Sequence, residues 1–98
     1  MMEFSDKKSG ELVRVGIDFV RLLAALETIS TAGVTVSVLR GTDPLPASIL
    51  NGAASISGTT IWQEVDGGVA GVYYTLEFTA TTSLGHVFSG RATLEVTA

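Results

Sequence analysis

"GVYYTLEFTATTSLGHVFSGRATLEV", Gly71 to Val96, is the most orderly stretch of the chain. In its first run Tyr74, Leu76, Phe78 and Ala80 hold the even positions, and Thr75, Glu77, Thr79 and Thr81 the odd ones. The return run keeps that phase: Phe88, Ala92, Leu94 and Val96 are even, and Ser89, Arg91, Thr93 and Glu95 are odd. Alternation of period two marks a half-buried strand, because successive side chains point to opposite faces. Two such runs around a turn carrying Gly85 predict a hairpin with one apolar face. A slip of one residue would bury Glu77, Arg91 and Glu95, so the register is firmly specified. Burying Leu76, Phe78, Phe88 and Leu94 contributes roughly 1.5–3 kcal/mol each as an upper estimate.

The same rhythm extends upstream. Val13, Val15, Ile17 and Phe19 alternate against Arg14 and Asp18, and Val34, Val36 and Val38 against Thr35 and Ser37. Gly33 within the second of these runs predicts a bulge or bend. Between them Leu22, Leu23 and Leu26 fall at helical spacing beside Ala24 and Ala25, which predicts a short helical turn near residues 20–26. Asp43-Pro44 and Pro46 remove ladder donors, as suits a crossover between sheets. Asn51-Gly52 is a hairpin signal, followed by a strand of small residues from Ala53 to Ser57, then Gly58, then "TTIWQEV". Asp66-Gly67-Gly68 marks the next turn.

Six to seven short strands with turn signals every ~8–12 residues predict an all-β, immunoglobulin- or fibronectin-III-like β-sandwich. Residues 1–10 are polar and read as a flexible N-terminal tail, leaving 11–98 as a single β-sandwich domain. At 98 residues such a core is feasible without metal or disulfide staples. The absence of cysteine removes disulfides, thiolate zinc sites and cysteine nucleophiles.

The formal charge is −4 and the six Lys and Arg are scattered, with Lys7-Lys8 the one basic pair. A nucleic-acid partner needs clustered cations, so none is expected. The opening "MMEFSDKKSGEL" lacks the apolar core of a signal peptide, and the apolar run from Phe19 to Leu26 is too short to span a bilayer. The reading is a soluble chain made in the cytoplasm, with no membrane partner.

No residue pattern calls for catalysis, a cofactor or a metal. His86, the single histidine, lacks the company a triad or a metal site requires, and reads as a turn-end residue. Asp18, Glu64, Glu77 and Glu95 read as solvated strand faces rather than paired catalytic carboxylates. Gly67-Gly68-Val69-Ala70-Gly71 lacks the Lys-Ser/Thr ending of a phosphate loop and reads as a turn. Trp62 has two readings. If Ile61 and Val65 point inward, Trp62 is partly exposed, beside Tyr73, and the pair can anchor a partner or stack on sugar. If the phase is reversed, Trp62 is the core aromatic. Tyr74 also has two: an ordinary core aromatic, or a tyrosine corner whose hydroxyl bonds back to upstream backbone, with Leu76 two residues on.

The segment "GGVAGVYYTLEFTATTSLGHVFSGRATLEV" resembles the C-terminal half of small phage and prophage structural proteins of the fibre–tail adaptor-like, immunoglobulin-like family. The match rests on Gly67, Gly68, Gly71, Tyr74, Thr81, Thr82 and Gly85. Upstream, "ELVRVGIDF" is similar to that family's opening strand, and Glu27-Thr28-Ile29 to the segment after it. His86 stands where the family more often has a basic residue. "VRLLAAL" replaces a tryptophan-bearing turn, and "DPLPASI" departs from the pattern. The resemblance implies a non-enzymatic virion component of the tail or fibre–tail region. Its implied partners are other virion proteins, and it can form or join a homo-oligomeric ring. Its implied location is the host cytoplasm during assembly, then the virion. A carbohydrate-binding or adhesion sandwich using Trp62 and Tyr73 is the alternative.

Overall fold

The opening hairpin forms as its phase dictates. In the computed structural model, which describes residues 2–8 and 12–97, β6 (Tyr73–Thr82) pairs antiparallel with β7 (Val87–Thr97). Leu76 sits opposite Ala92 and Tyr74 opposite Leu94. Burial along β6 alternates without a break, and Tyr74, Leu76, Phe78 and Ala80 are fully buried.

Around this pair the chain builds two sheets. One has the order β1-β7-β6-β3, with β1 at Met2–Lys8 and β3 at Ile29–Arg40. The other has the order β2-β5-β4, with β2 at Val13–Asp18, β5 at Thr60–Val65 and β4 at Ser55–Ser57. The inward residues of both sheets meet in one cluster: Val15, Ile17, Ile61 and Val65 from the smaller sheet, and Tyr74, Leu76, Phe78, Leu94 and Val96 from the larger. Phe19 and Ile49 close it from the connections. Phe88 is half-buried and packs against the cluster from β7.

Four expectations change. The segment read as a tail is, over Met2–Lys8, a strand lying parallel to β7, with Met2 beside Arg91 and Lys8 beside Thr97. Its polar composition hid it. An edge strand needs only a neighbour with free backbone groups, and the outer side of β7 supplies one. Residues 1, 9 and 10 of that expectation lie outside the described residues.

The helical turn near residues 20–26 does not form. Two separate turns stand there, closed by Leu22 N–H to Phe19 O at 2.9 Å and Glu27 N–H to Ala24 O at 3.1 Å. The short helix is instead a 3-10 turn at Pro46–Ile49, where proline opens the first turn and loses no needed donor. The two-residue hairpin connection is Gly58-Thr59 between β4 and β5, not Asn51-Gly52. Gly33 pairs regularly with Thr79, and the register shifts of β3 lie at its two ends, between Ile29 and Thr31 and between Val38 and Arg40.

Because β2, β3, β6 and β7 alternate in direction, the connections 19–28, 58–59 and 83–86 gather at one end of the molecule. Backbone bonds confirm the grouping: Phe19 N–H to Thr59 O and Ser83 N–H to Thr28 O, both at 2.8 Å. The connections 41–54 and 66–72 lie at the other end. The body measures 43 × 20 × 19 Å, so the two ends are well separated.

Candidate functional site: two pinned loop ends

At the first end a buried carboxylate organises the loops. Glu27 follows the 24–27 turn and is 6% exposed. Its Oε1 accepts the Ala24 N–H at 2.8 Å, which closes the turn from the side-chain side as well. Its Oε2 accepts the Thr82 hydroxyl at 2.5 Å and lies 2.8 Å from His86 Nδ1. The Thr82 oxygen in turn accepts backbone N–H bonds from Leu84 at 3.3 Å and His86 at 3.2 Å. One threonine hydroxyl thus holds the β6–β7 turn and hands its proton toward the β2–β3 connection.

The electrostatics follow from that geometry. The Thr82 hydroxyl, then the Ala24 N–H, holds the Glu27 carboxyl below its ordinary value, and His86 adds to this. Burial pushes the other way and loses. His86 is therefore not a bystander of the turn. Its ring is mostly exposed, yet it faces a shielded carboxylate and lies 5.8 Å from the Phe88 ring. Sequence reasoning missed this because the partners are 59 residues apart and each looks like an ordinary surface residue alone.

The second end is closed by Tyr74. Its side chain is fully buried, and its hydroxyl accepts the Val69 N–H at 3.0 Å. The same hydroxyl donates to Asp43 Oδ2 at 2.6 Å. Asp43 Oδ1 meanwhile accepts the Leu45 N–H at 2.9 Å, fixing the turn ahead of Pro46. One phenol therefore joins the 66–72 and 41–54 connections. Burial raises the Tyr74 hydroxyl above its ordinary value, and the Asp43 carboxylate adds to the rise. Gly68 makes the approach possible: its φ is +96°, and a Cβ there would stand 2.9 Å from Val96.

Trp62 and Tyr73 are not brought together. Ile61, Gln63 and Val65 point inward, so Trp62 lies on the outer face of the β2-β5-β4 sheet. Tyr73 lies on the outer face of the other sheet, opposite Glu95 and Arg40 across its neighbours. The physical reason is that β5 and β6 belong to different sheets. Trp62 is half-exposed, and its ring lies across Gly16, where a Cβ would fall 2.4 Å from it. The Arg14 guanidinium sits over the ring, 4.6 Å from its centroid. That contact occupies ring surface a sugar would need. The Tyr73 hydroxyl bonds to Glu95, whose carboxylate raises it above its ordinary value.

A groove of about 370 Å³ runs along the outer face of β3, lined by Thr35, Ser37, Thr75 and the exposed Glu77–Arg91 pair at 3.4 Å. Among the described residues no group of three or more His, Asp or Glu side chains is placed to hold a metal ion.

These features define a small all-β protein of two packed sheets, whose polar side chains hold loops in place at both ends. Residues 7–95 match the family described as podophage GP4 fiber-tail adaptor protein gp77, and the chain belongs to that family. No curated protein matches it.

Proposed function

We propose that this chain is a non-enzymatic structural component of a phage or prophage virion, placed in the tail or fibre–tail region and acting through protein–protein contacts. The family match over residues 7–95 carries the reading. The geometry supports it: the polar chemistry at each end satisfies backbone donors and fixes loop shape, as a docking module requires.

The fold is read as an immunoglobulin-like sandwich. Taking β2 to β7 as the strands B to G of that fold, the orders β2-β5-β4 and β3-β6-β7 correspond to its two sheets, B-E-D and C-F-G. The Tyr74–Val69 bond occupies the place of the tyrosine corner at the start of strand F. Partners are other virion proteins, and the chain forms or joins a ring of copies. It assembles in the host cytoplasm and then resides in the virion.

Quantitative mass spectrometry of purified virions, with antibody labelling in negative stain, tests the reading. Stoichiometric copies located at the tail or its fibre attachment are expected. Absence from gradient-purified particles would overturn it.

A further inference from the structure

The sheet β1-β7-β6-β3 ends in two edge strands, and β3 is the longer. One side of β3 pairs with β6. Among the described residues, no backbone bond from a loop or another strand reaches its other side over residues 30–40. Every second residue there turns its N–H and C=O outward, a template for a further strand. Proteins normally blunt such an edge with lysine, proline or a bulge. β3 does the reverse: residues 30–39 hold no charge and no proline, and its register runs without a shift from Thr31 to Val38. The core is open along this edge as well. Val34, Val36 and Val38 stand opposite Phe78, Leu76 and Tyr74, yet they are half-buried where those partners are fully buried. The edge strand of the facing sheet, β4, has three residues and covers too little. One more strand beside β3 completes both the ladder and the cover.

The chain carries a matching strand on the opposite edge of the same sheet. β1 is paired on its β7 side, and through β7 and β6 it runs parallel to β3. Rows across the sheet set the levels: Ser5–Leu94–Tyr74–Val38 is one, and Asp6–Glu95–Tyr73–Arg40 the next. A closed ring whose axis lies along the strands has no rise from copy to copy. A neighbour's β1 therefore comes to β3 in parallel and at these same levels. Its Asp6 then takes the register position beside Arg40, the one charged residue of β3.

Resting on the ring of copies proposed above, we infer that the ring is built by β3 of each copy adding parallel to the outer edge of β1 of the next. The register sets Val38 beside Ser5 and Arg40 beside Asp6. The contact is heterologous, so every copy uses both edges and none is left over. Two β3 strands meeting about a twofold axis use one edge per copy, and Arg40 then finds no acid, because β3 has none. A strand from another protein likewise leaves β1 open.

The chain has no cysteine, so introduced pairs report the contact. Val38→Cys and Ser5→Cys are made as single variants, purified, mixed and oxidised. Within one chain β1 and β3 stand three strand spacings apart, about 14 Å, too far for a disulfide. A covalent dimer with one copy of each variant is expected. Its yield should exceed by at least about tenfold that of Val34→Cys with Ser5→Cys, which lies four residues out of register. A second pair in the same register, Thr35→Cys with Met2→Cys, gives the same answer if a cysteine at Val38 unfolds the chain. Val38→Cys linking only to itself, or equal yields in and out of register, would overturn the edge-to-edge contact. Native mass spectrometry counts the copies: a ring without the link overturns the contact alone, and a monomer at every concentration overturns the ring with it. A chain that links in register yet is missing from virions would sink the virion role and leave the contact standing.

Discussion

Replacing Tyr74 by Phe removes one oxygen and leaves the ring in place, so it measures the bond set that closes the second loop end. Two partners lose contact: the Asp43 carboxylate, held at 2.6 Å, and the Val69 N–H, held at 3.0 Å. A hydrogen bond to a charged group contributes about 1.5–3 kcal/mol, and a neutral one about 0.5–1.5 kcal/mol. Asp43 is only half-buried and Val69 is 45% exposed, so water recovers part of each loss. The low ends then apply, and Tyr74→Phe should cost about 2 kcal/mol. For a domain of this size that lowers the melting temperature by roughly 8–16 °C. Urea unfolding followed by the fluorescence of Trp62, the single tryptophan, gives the free energy directly. Asp43→Ala and the double variant complete a cycle. The phenol–carboxylate bond requires the double variant to cost at least about 0.5 kcal/mol less than the sum of the singles. A Tyr74→Phe protein within about 0.5 kcal/mol of wild type, the scatter of surface substitutions, would show that the phenol does not hold the two connections together.

Gly16→Ala places a methyl 2.4 Å from the Trp62 ring, and because the indole is half-exposed it should swing outward rather than unfold the sheet. A red-shifted emission with a loss of about 1 kcal/mol is expected, and an unmoved spectrum would contradict the ring's placement over Gly16. Glu27 has a folded pKa below its ordinary 4.5, so its contribution is complete above that pH and is lost as pH falls through the folded value. Stability measured against pH should therefore drop more steeply below 4.5 for wild type than for Glu27→Gln. Tyr73 and Tyr74 both have hydroxyls raised above 10.0, which contribute fully below that pH and lose their contribution as pH rises through the folded values. Absorbance of the folded protein near the tyrosinate band should stay flat to pH 10 and rise only beyond it.

How much of this was legible in the sequence depends on the range of the interaction. The β6–β7 pairing is local and alternates cleanly, so phase alone gives Leu76 opposite Ala92. β1 was hidden because Glu3, Asp6, Lys7 and Lys8 mimic a solvated tail, while the partner that makes them a strand lies some ninety residues downstream, at Arg91–Thr97. The helical spacing of Leu22, Leu23 and Leu26 misled because periodicity does not register a positive φ at Leu26. Asp43 resembled an ordinary turn acid before proline, and nothing near it announced a phenol 31 residues away. The family resemblance did contain the site in scattered form. Glu27, Thr82 and Gly85 converge on the first loop end, and Gly68 and Tyr74 on the second. Those residues look like separate turn and strand markers until the fold brings them together.

The pairing of β1 with β7 has a mechanical consequence. The strands run parallel, with Met2 beside Arg91 and Lys8 beside Thr97, so Met2 and Thr97 lie at opposite ends of the shared ladder. Tension applied between those two residues drags the strands past one another along their length. All seven paired positions then bear the load together rather than opening one at a time. Parallel bonds are evenly spaced, so none is singled out to fail first. Pulled in that direction the chain behaves as a shear clamp, and its lifetime under force is governed by the rate at which that one seam breaks.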